Sequence, residues 1–348
     1  MAKKFKKASD IKVGVVGYGG AFNMGRKHLQ EMQAAGMTPV AVCEIDKDRL
    51  KVAEEDFPGI ETYTSLTQML KKSDVNFITI ITPHNTHAKL AQQALNAGCG
   101  VCCEKPLAIT TAECDKMIAA AKTGGVVLTT YHNRHWDGCI LEAVDQVRKQ
   151  GVIGDVVRIE CHMGGYGKPG DWWRTSKSIS GGILYDWGVH LLEYSLQLID
   201  SDLAEVMGMA KTGYWAPQTA WKNDTNEDEG FAVVRFKSGQ WLTITITQID
   251  SKPKSADRGQ LEITGTKGTY VFNGGEYEIT RIADGKTTVT KGKNRPGTQD
   301  LYYKNVADHM VMGKKLIIDG AWSRRPIHIL DLANQSVKAG KAMKAKYK

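Results

Sequence analysis

The sequence predicts a two-domain α/β protein: a helix-covered parallel sheet over residues 1–131, then an α+β domain with an open, mainly antiparallel sheet over 132–348. Three observations lead there. A chain of 348 residues exceeds the roughly 150 residues of one typical domain. Up to Thr130, short apolar runs alternate with helical stretches, and the runs are apolar nearly throughout, as strands buried on both faces must be. Beyond Tyr131 several strands instead alternate apolar and polar residues, the pattern of a sheet with one packed face.

Taken in order, Ile11–Val16 is the first run and breaks into Gly17-Tyr18-Gly19-Gly20. A helical stretch, Arg26–Ala35, stops at Gly36, and Pro39–Cys43 is the second expected strand. Helices from about Lys47 and across Leu66–Lys71 lead to a strand at Val75–Ile81 and a helix at Ala88–Ala97 closed by Gly98. A strand at Gly100–Cys103, a helix at Ala112–Thr123 and a strand at Val126–Thr130 complete the series. In the second half, strands are expected at 156–163, 231–236, 241–248, 260–263, 269–272 and 277–282. Within the third of these, Leu242, Ile244 and Ile246 point one way and Thr243, Thr245 and Thr247 the other. Helices are expected at 139–150, at 187–198 and from Ile329 toward Lys344.

Composition narrows the class. With 42% hydrophobic and 24% charged residues the chain is an ordinary globular one, neither disordered nor collagen-like nor disulfide-stapled. No apolar run approaches the roughly 18 residues of a membrane span, so no membrane partner is expected. The net charge of +8 resides in two lysine-rich ends: nine lysines and no acid lie in residues 1–9 and 336–348, which leaves −1 for residues 10–335. A nucleic-acid partner, which needs a basic face on the folded body, is therefore not expected. The first residues form a basic stretch with no apolar core of an export signal behind it, so a cytoplasmic location is expected. Seven cysteines, an odd number confined to Cys43 through Cys161 in mostly apolar settings, read as reduced, buried residues, with no metal site.

Gly17-x-Gly19 follows a strand and precedes a helix, the context in which a glycine turn can approach a pyrophosphate and lay its charge against the helix amides. Gly20, Ala21 and Phe22 belong to the same loop. Phe22 stands where a third glycine is usual and Gly25 lies further on, so the turn is expected to be longer than the common one. Glu44, at the end of the second strand, can accept hydrogen bonds from both ribose hydroxyls and repel a 2′-phosphate, which favours NAD over NADP; Lys47 and Arg49 nearby soften that discrimination.

Residues 82–106 carry Thr82, Pro83 and His87, a helix ending in Gly98, a strand, and then Glu104-Lys105-Pro106. Further on, Gly181-Gly182-Ile183-Leu184-Tyr185-Asp186-Trp187-Gly188-Val189-His190 follows Trp173-Arg174, and Tyr131-His132-Asn133-Arg134 opens the second half. Together these resemble the Gfo/Idh/MocA oxidoreductases over nearly the whole chain. The resemblance implies a Rossmann-type domain that binds NAD through the glycine loop, Glu44, Thr82, Pro83, His87, Glu104 and Lys105. It implies catalytic roles for Lys105, Asp186 and His190, and a substrate cleft lined also by Asn133, Arg134, Trp173 and Arg174. Asp186 and His190 are four apart and would share one face of a helix. Ser180, Glu193 and His84 depart from the family's common residues, which leaves the substrate open.

The expected reaction is hydride transfer between a nicotinamide and a secondary hydroxyl of a sugar, polyol or glycoside, with His190 as acid/base. Two other readings remain open. One is an NAD-dependent glycosidase or lyase working through a transient keto-sugar, and the other is a non-catalytic ligand sensor. The glycine-rich stretch from Gly164 to Gly170, with Trp172 and Trp173, suggests a loop against which a sugar ring could stack. The open sheet implies a homodimer or homotetramer, because large apolar sheet faces are seldom left to water.

Overall fold

The computed structural model describes residues 5–20, 22–252 and 260–347. In chain order the elements are β1 (Lys12–Val16), α1 (Met24–Ala34), β2 (Thr38–Cys43), α2 (Lys47–Asp56), β3 (Glu61–Tyr63), α3 (Leu66–Lys72), β4 (Phe77–Ile80), α4 (His84–Asn96), β5 (Gly100–Cys103), α5 (Thr111–Gly124) and β6 (Leu128–Thr130). There follow α6 (Gly138–Ala143), β7 (Val156–Gly164), α7 (Lys177–Ser180), α8 (Gly188–Leu198), β8 (Leu203–Lys211), β9 (Glu229–Phe236), β10 (Trp241–Thr247), β11 (Gln260–Gly265), β12 (Gly268–Phe272), β13 (Glu276–Ala283) and β14 (Lys286–Lys293). Helices α9 (Leu301–Met312) and α10 (Gly320–Ala339) and the short β15 (Met343–Lys344) close the chain. The chain forms two compact units, Met1–His132 with Asp300–Arg324, and Asn133–Gln299 with Arg325–Lys348.

The first unit is a six-stranded parallel sheet in the order β3-β2-β1-β4-β5-β6. Its central strands carry fully buried Val13, Val15, Ile78, Ile80 and Val101, the reason they read as continuous apolar runs. The order reverses between β1 and β4, and the carboxyl ends of strands beside such a reversal are where ligands bind in open α/β sheets. Local signals set the helix ends. Asp46 caps α2 through the amides of Asp48 and Arg49, Thr110 and Glu113 form a reciprocal capping box on α5, and Gly125, at φ 59°, stops that helix.

The expected boundary at residue 131 is nearly where the chain leaves this unit, but residues 300–324 return to it, a correction to the single-crossing division. Burial drives the return. Tyr302 and Tyr303 of α9 are almost completely enclosed: the Tyr302 hydroxyl lies 3.0 Å from Thr129 Oγ1, and that of Tyr303 lies 3.1 Å from Thr79 Oγ1. The helix α9 itself was not expected, because Lys304, Asn305, Asp308 and His309 interrupt its apolar stripe.

The second unit is a nine-stranded mixed sheet in the order β14-β13-β12-β11-β7-β10-β9-β8-β15, antiparallel except where β7 runs parallel to β10. One face is covered by α8, every residue of which is buried, with Ser195 Oγ 3.1 Å from Cys161 Sγ. The other face carries half-exposed Arg158, Glu160, Phe231, Val233, Trp241 and Glu262. All the strands expected in this half are present. β8, β14 and β15 are additional, and β14 escaped notice because it is exposed almost throughout and has no alternation. The helix expected at 139–150 loosens into a π-helical stretch from Val144. The last helix begins at Gly320, earlier than expected, because Pro326 inside it reads as a breaker in the sequence.

All seven cysteines are free and buried. Burial pushes the Cys43 thiol up to about 11 and Cys161 to about 12, so neither is a thiolate near neutrality.

Candidate active site

The glycine turn follows β1. Gly17 sits at φ 104°, and a Cβ there would lie 2.1 Å from the Ile81 carbonyl oxygen. Gly19 instead faces open space, with no atom of the described residues within 4 Å of where its Cβ would be. A Cβ at Gly25 would meet the Gly17 carbonyl oxygen at 2.8 Å and Tyr18 Cδ2 at 2.6 Å. Gly25 thus does the work of the missing third glycine, letting α1 pack closely on the strand, while Phe22 is turned outward and 57% exposed. Ala21, expected in the cofactor loop, lies outside the described residues.

Asn23, in the left-handed region at φ 50°, precedes α1 and makes no side-chain cap, so no side chain among the described residues caps the first amides of α1. Glu44 ends β2. Its Oε2 accepts from the Tyr18 amide at 2.7 Å and its Oε1 from the amides of Ile45 at 2.6 Å and Asp46 at 3.1 Å. Arg49 donates from Nε to the Tyr18 carbonyl at 2.9 Å and from Nη2 to Asn23 Oδ1 at 3.3 Å, which brings a positive charge beside this carboxylate. An open space at Gly19, uncapped helix amides and a fixed carboxylate fit the pyrophosphate and adenosine ribose of a dinucleotide.

Thr82, Pro83 and His87 lie at the end of β4 and the start of α4. His87 is fully buried, with Nδ1 2.8 Å from the Pro106 carbonyl oxygen and Nε2 2.8 Å from that of Thr82. It therefore ties the Thr82-Pro83 turn to the Glu104-Lys105-Pro106 turn. The Glu104 amide donates to the Ile80 carbonyl at 2.9 Å, and its carboxylate accepts from the Lys105 amide at 2.9 Å and from His28 Nε2 at 3.0 Å. Burial by itself would raise the Glu104 carboxyl, but the His28 hydrogen bond and charge, with the Lys105 charge, hold it below the usual carboxylate range.

In the second unit, Asp186 precedes α8 instead of sharing a helical face with His190, a correction to the spacing argument: Gly182 at φ 124° starts a tight turn, and α8 begins only at Gly188. Asp186 Oδ1 accepts from Arg174 Nη1 at 2.7 Å, and the Arg174 guanidinium lies 5.1 Å from the Trp172 ring and 5.2 Å from that of Trp173. His190, buried in the first turn of α8, meets the Trp187 ring edgewise at 5.4 Å, and the Arg134 guanidinium covers that ring at 4.7 Å. This unit thus holds two charge–aromatic clusters, Arg134 with Trp187 and His190, and Arg174 with Trp172, Trp173 and Asp186, whereas Asn133 is half-buried in the turn before Arg134.

His28 has no place in the sequence reading, and Glu193 stands there only as a departure from the family's common residue. Glu193 is buried on α8 and lies 2.5 Å from His135 Nδ1. A histidine three residues after Gly25, on the face of α1 that also holds Leu29 and Met32, is the signal by which His28 could have been found.

The fold and the glycine turn define a dinucleotide-binding α/β protein. Residues 11–132 match a family model described as an oxidoreductase family with an NAD-binding Rossmann fold, and residues 141–271 match the GFO/IDH/MocA C-terminal domain. The chain belongs to the Gfo/Idh/MocA oxidoreductase family. An uncharacterized oxidoreductase, C26H5.09c, of Schizosaccharomyces pombe is 34% identical over 148 residues, 42% of this chain but only 40% of the relative, so the chain spans less than half of that relative's length. The scyllo-inositol 2-dehydrogenase (NADP(+)) IolW of Bacillus subtilis is 27% identical over 199 residues, 57% of this chain and 54% of that one. The Myo-inositol 2-dehydrogenase of Thermotoga maritima is 26% identical over 298 residues, 84% of this chain and 82% of that one. Among solved structures, a levoglucosan dehydrogenase in complex with NADH superposes with a TM-score of 0.82 at 20% identity, covering 97% of this chain and 100% of that one, a likeness of fold. No helix among the described residues is long and apolar enough to cross a membrane.

Proposed function

We propose that the protein is an NAD-dependent dehydrogenase that interconverts a secondary hydroxyl and a ketone on a sugar, polyol or glycoside. The observation that carries the reading is the Gly17–Gly19–Gly25 turn, with open space at Gly19 and the Glu44 carboxylate fixed at the end of β2. The inositol dehydrogenases among the relatives support a polyhydroxylated substrate.

The turn and the amides of α1 would hold the pyrophosphate, and Glu44 the adenosine ribose. The bound dinucleotide would supply the hydride acceptor. Lys105 polarises the substrate oxygen and stabilises the alkoxide that develops there. His190 takes the hydroxyl proton during oxidation and returns it during reduction. Asp186, already bound to Arg174, orients a neighbouring hydroxyl. Trp173 and Arg174, with Asn133 and Arg134, form the polar and aromatic surroundings that a sugar face requires. The half-exposed Phe231, Val233 and Trp241 of the second sheet support assembly into a homo-oligomer through that face.

The test is to denature the purified protein, identify any released nucleotide by mass spectrometry, and follow NADH absorbance against inositols, sugars and glycosides. Net NADH formation with one of them establishes the dehydrogenase. Retained NAD with glycoside consumption and no net NADH would overturn it in favour of the internal-redox glycosidase or lyase.

A further inference from the structure

The first unit contains a buried polar chain, two members of which, Tyr303 and His28, have no part in the proposed chemistry. It starts at Tyr303 on α9, runs through His28 on α1 and ends on Glu104 at the tip of β5. His28 is completely enclosed: its Nδ1 lies 2.6 Å from the Tyr303 hydroxyl and its Nε2 lies 3.0 Å from Glu104 Oε1. The Tyr131 ring closes on the imidazole edgewise at 4.3 Å, and the Tyr131 hydroxyl is anchored to Glu31 of the same helix at 2.5 Å. Tyr303 is itself held 3.1 Å from Thr79 Oγ1 on β4.

The donors can be assigned from the far end. The Glu104 carboxyl is held in its ionised form and only accepts, so the Nε2 of His28 must carry a proton. At Nδ1 the partner is the Tyr303 hydroxyl, which also meets Thr79 Oγ1 at 3.1 Å and Cys102 Sγ at 3.7 Å. Bonded at both nitrogens, the imidazole is fixed and, through it, one oxygen of Glu104. The other oxygen accepts the Lys105 amide at 2.9 Å. A carboxylate held at both oxygens cannot rotate without breaking a charge-assisted hydrogen bond, so the Glu104–Lys105 peptide inherits the orientation of His28.

We propose that His28, oriented by Tyr303, is a positioning residue that fixes Glu104 and thereby sets the direction in which Lys105 leaves the end of β5. The inference rests on the reading of Lys105 as the residue that polarises the substrate oxygen. It also gives the return of residues 300–324 to the first unit a role, since α9 brings Tyr303 to Nδ1 of His28.

The experiment combines a signal that needs no substrate with a kinetic one. In protein labelled with nitrogen-15 lysine, the Lys105 amide, assigned with Lys105→Arg, reports its hydrogen bond to Glu104 directly. His28→Leu moves this amide proton upfield, Tyr303→Phe moves it the same way by less, and His28→Gln, whose side-chain amide can still donate to Glu104, restores part of the wild-type position. With the best substrate from the sugar and polyol panel, His28→Leu lowers kcat by roughly tenfold to a hundredfold, the loss expected of a misdirected reacting group, while KM changes less. An unmoved Lys105 amide in a folded His28→Leu protein overturns the proposal, as does a moved amide with unchanged kcat. If His28→Leu does not fold, Tyr303→Phe, which keeps the ring and removes one hydroxyl, decides by the same signals. Full turnover by Lys105→Met would instead overturn the role given to Lys105, and a panel without turnover the dehydrogenase reading; the amide signal judges the positioning of Lys105 separately from both.

Discussion

Replacing Gly25 by alanine tests whether it has taken over the third glycine's work. The new methyl would lie 2.8 Å from the Gly17 carbonyl oxygen and 3.2 Å from Tyr18 Cα, both backbone atoms that cannot swing aside. Carbon and oxygen ordinarily stay about 3.4 Å apart, so α1 and the turn must separate by roughly half an ångström. Overpacking of this kind costs about 1–3 kcal/mol, which for a folding unit of this size lowers the melting temperature by roughly 3–10 °C. The same shift moves the α1 amides away from a bound pyrophosphate, and losing one charge-assisted hydrogen bond worth about 1.5–3 kcal/mol weakens NADH by roughly tenfold to a hundredfold. Gly19→Ala is the paired control. Its methyl meets no atom of the described residues within 4 Å, so stability is retained, but it fills the space assigned to the pyrophosphate and NADH binding falls. Fluorescence titration with NADH and a thermal melt read both quantities. A Gly25→Ala protein with unchanged melting temperature and NADH affinity would refute the assignment, and a Gly19→Ala protein that binds NADH normally would refute the placement of the cofactor.

Three further outcomes are expected. Lys105→Met and His190→Asn each lower kcat by at least about a hundredfold, the usual share of a positioned acid/base or oxyanion partner, while NADH titration shows affinity within a few-fold of wild type. Glu44→Gln removes the charge that opposes a 2′-phosphate yet keeps an acceptor for the Tyr18 amide, so the ratio of NADPH to NADH affinity rises by about tenfold, or on the order of 1.4 kcal/mol, as parallel titrations would show. Glu104 has a depressed folded-state pKa, so its stabilising contribution is complete above the unfolded glutamate value of about 4.3 and is lost as the pH falls through the lower folded value. Thermal melts across that acid range should therefore be flatter in His28→Leu than in wild type, with the two curves converging as the pH falls.

The periodicities alone determined five of the six strands of the first sheet and helices α1 to α5, because a parallel strand buried on both faces leaves a short apolar run; β3, three residues long and partly exposed, leaves none. The glycine turn, Glu44 and the Glu-Lys-Pro turn were legible for a similar reason, being local features in which a few adjacent residues set the backbone and the charge. What the sequence could not show were relations between distant positions. That α9 returns to the first unit depends on two tyrosines finding acceptors on β4 and β6, and that Gly25 replaces a glycine at position 22 depends on how closely α1 approaches Tyr18. Asp186 leaves the helical face its spacing suggested because it closes the short turn Ile183–Tyr185 and α8 begins only at Gly188. The bond from His28 to Glu104 joins residues 76 apart in the chain, and only the folded packing of α1 against the sheet brings an unremarkable helix histidine within 3.0 Å of a carboxylate. Local backbone preference and burial periodicity are written residue by residue, whereas the partner of a buried polar group is chosen by whichever distant segment the core places beside it.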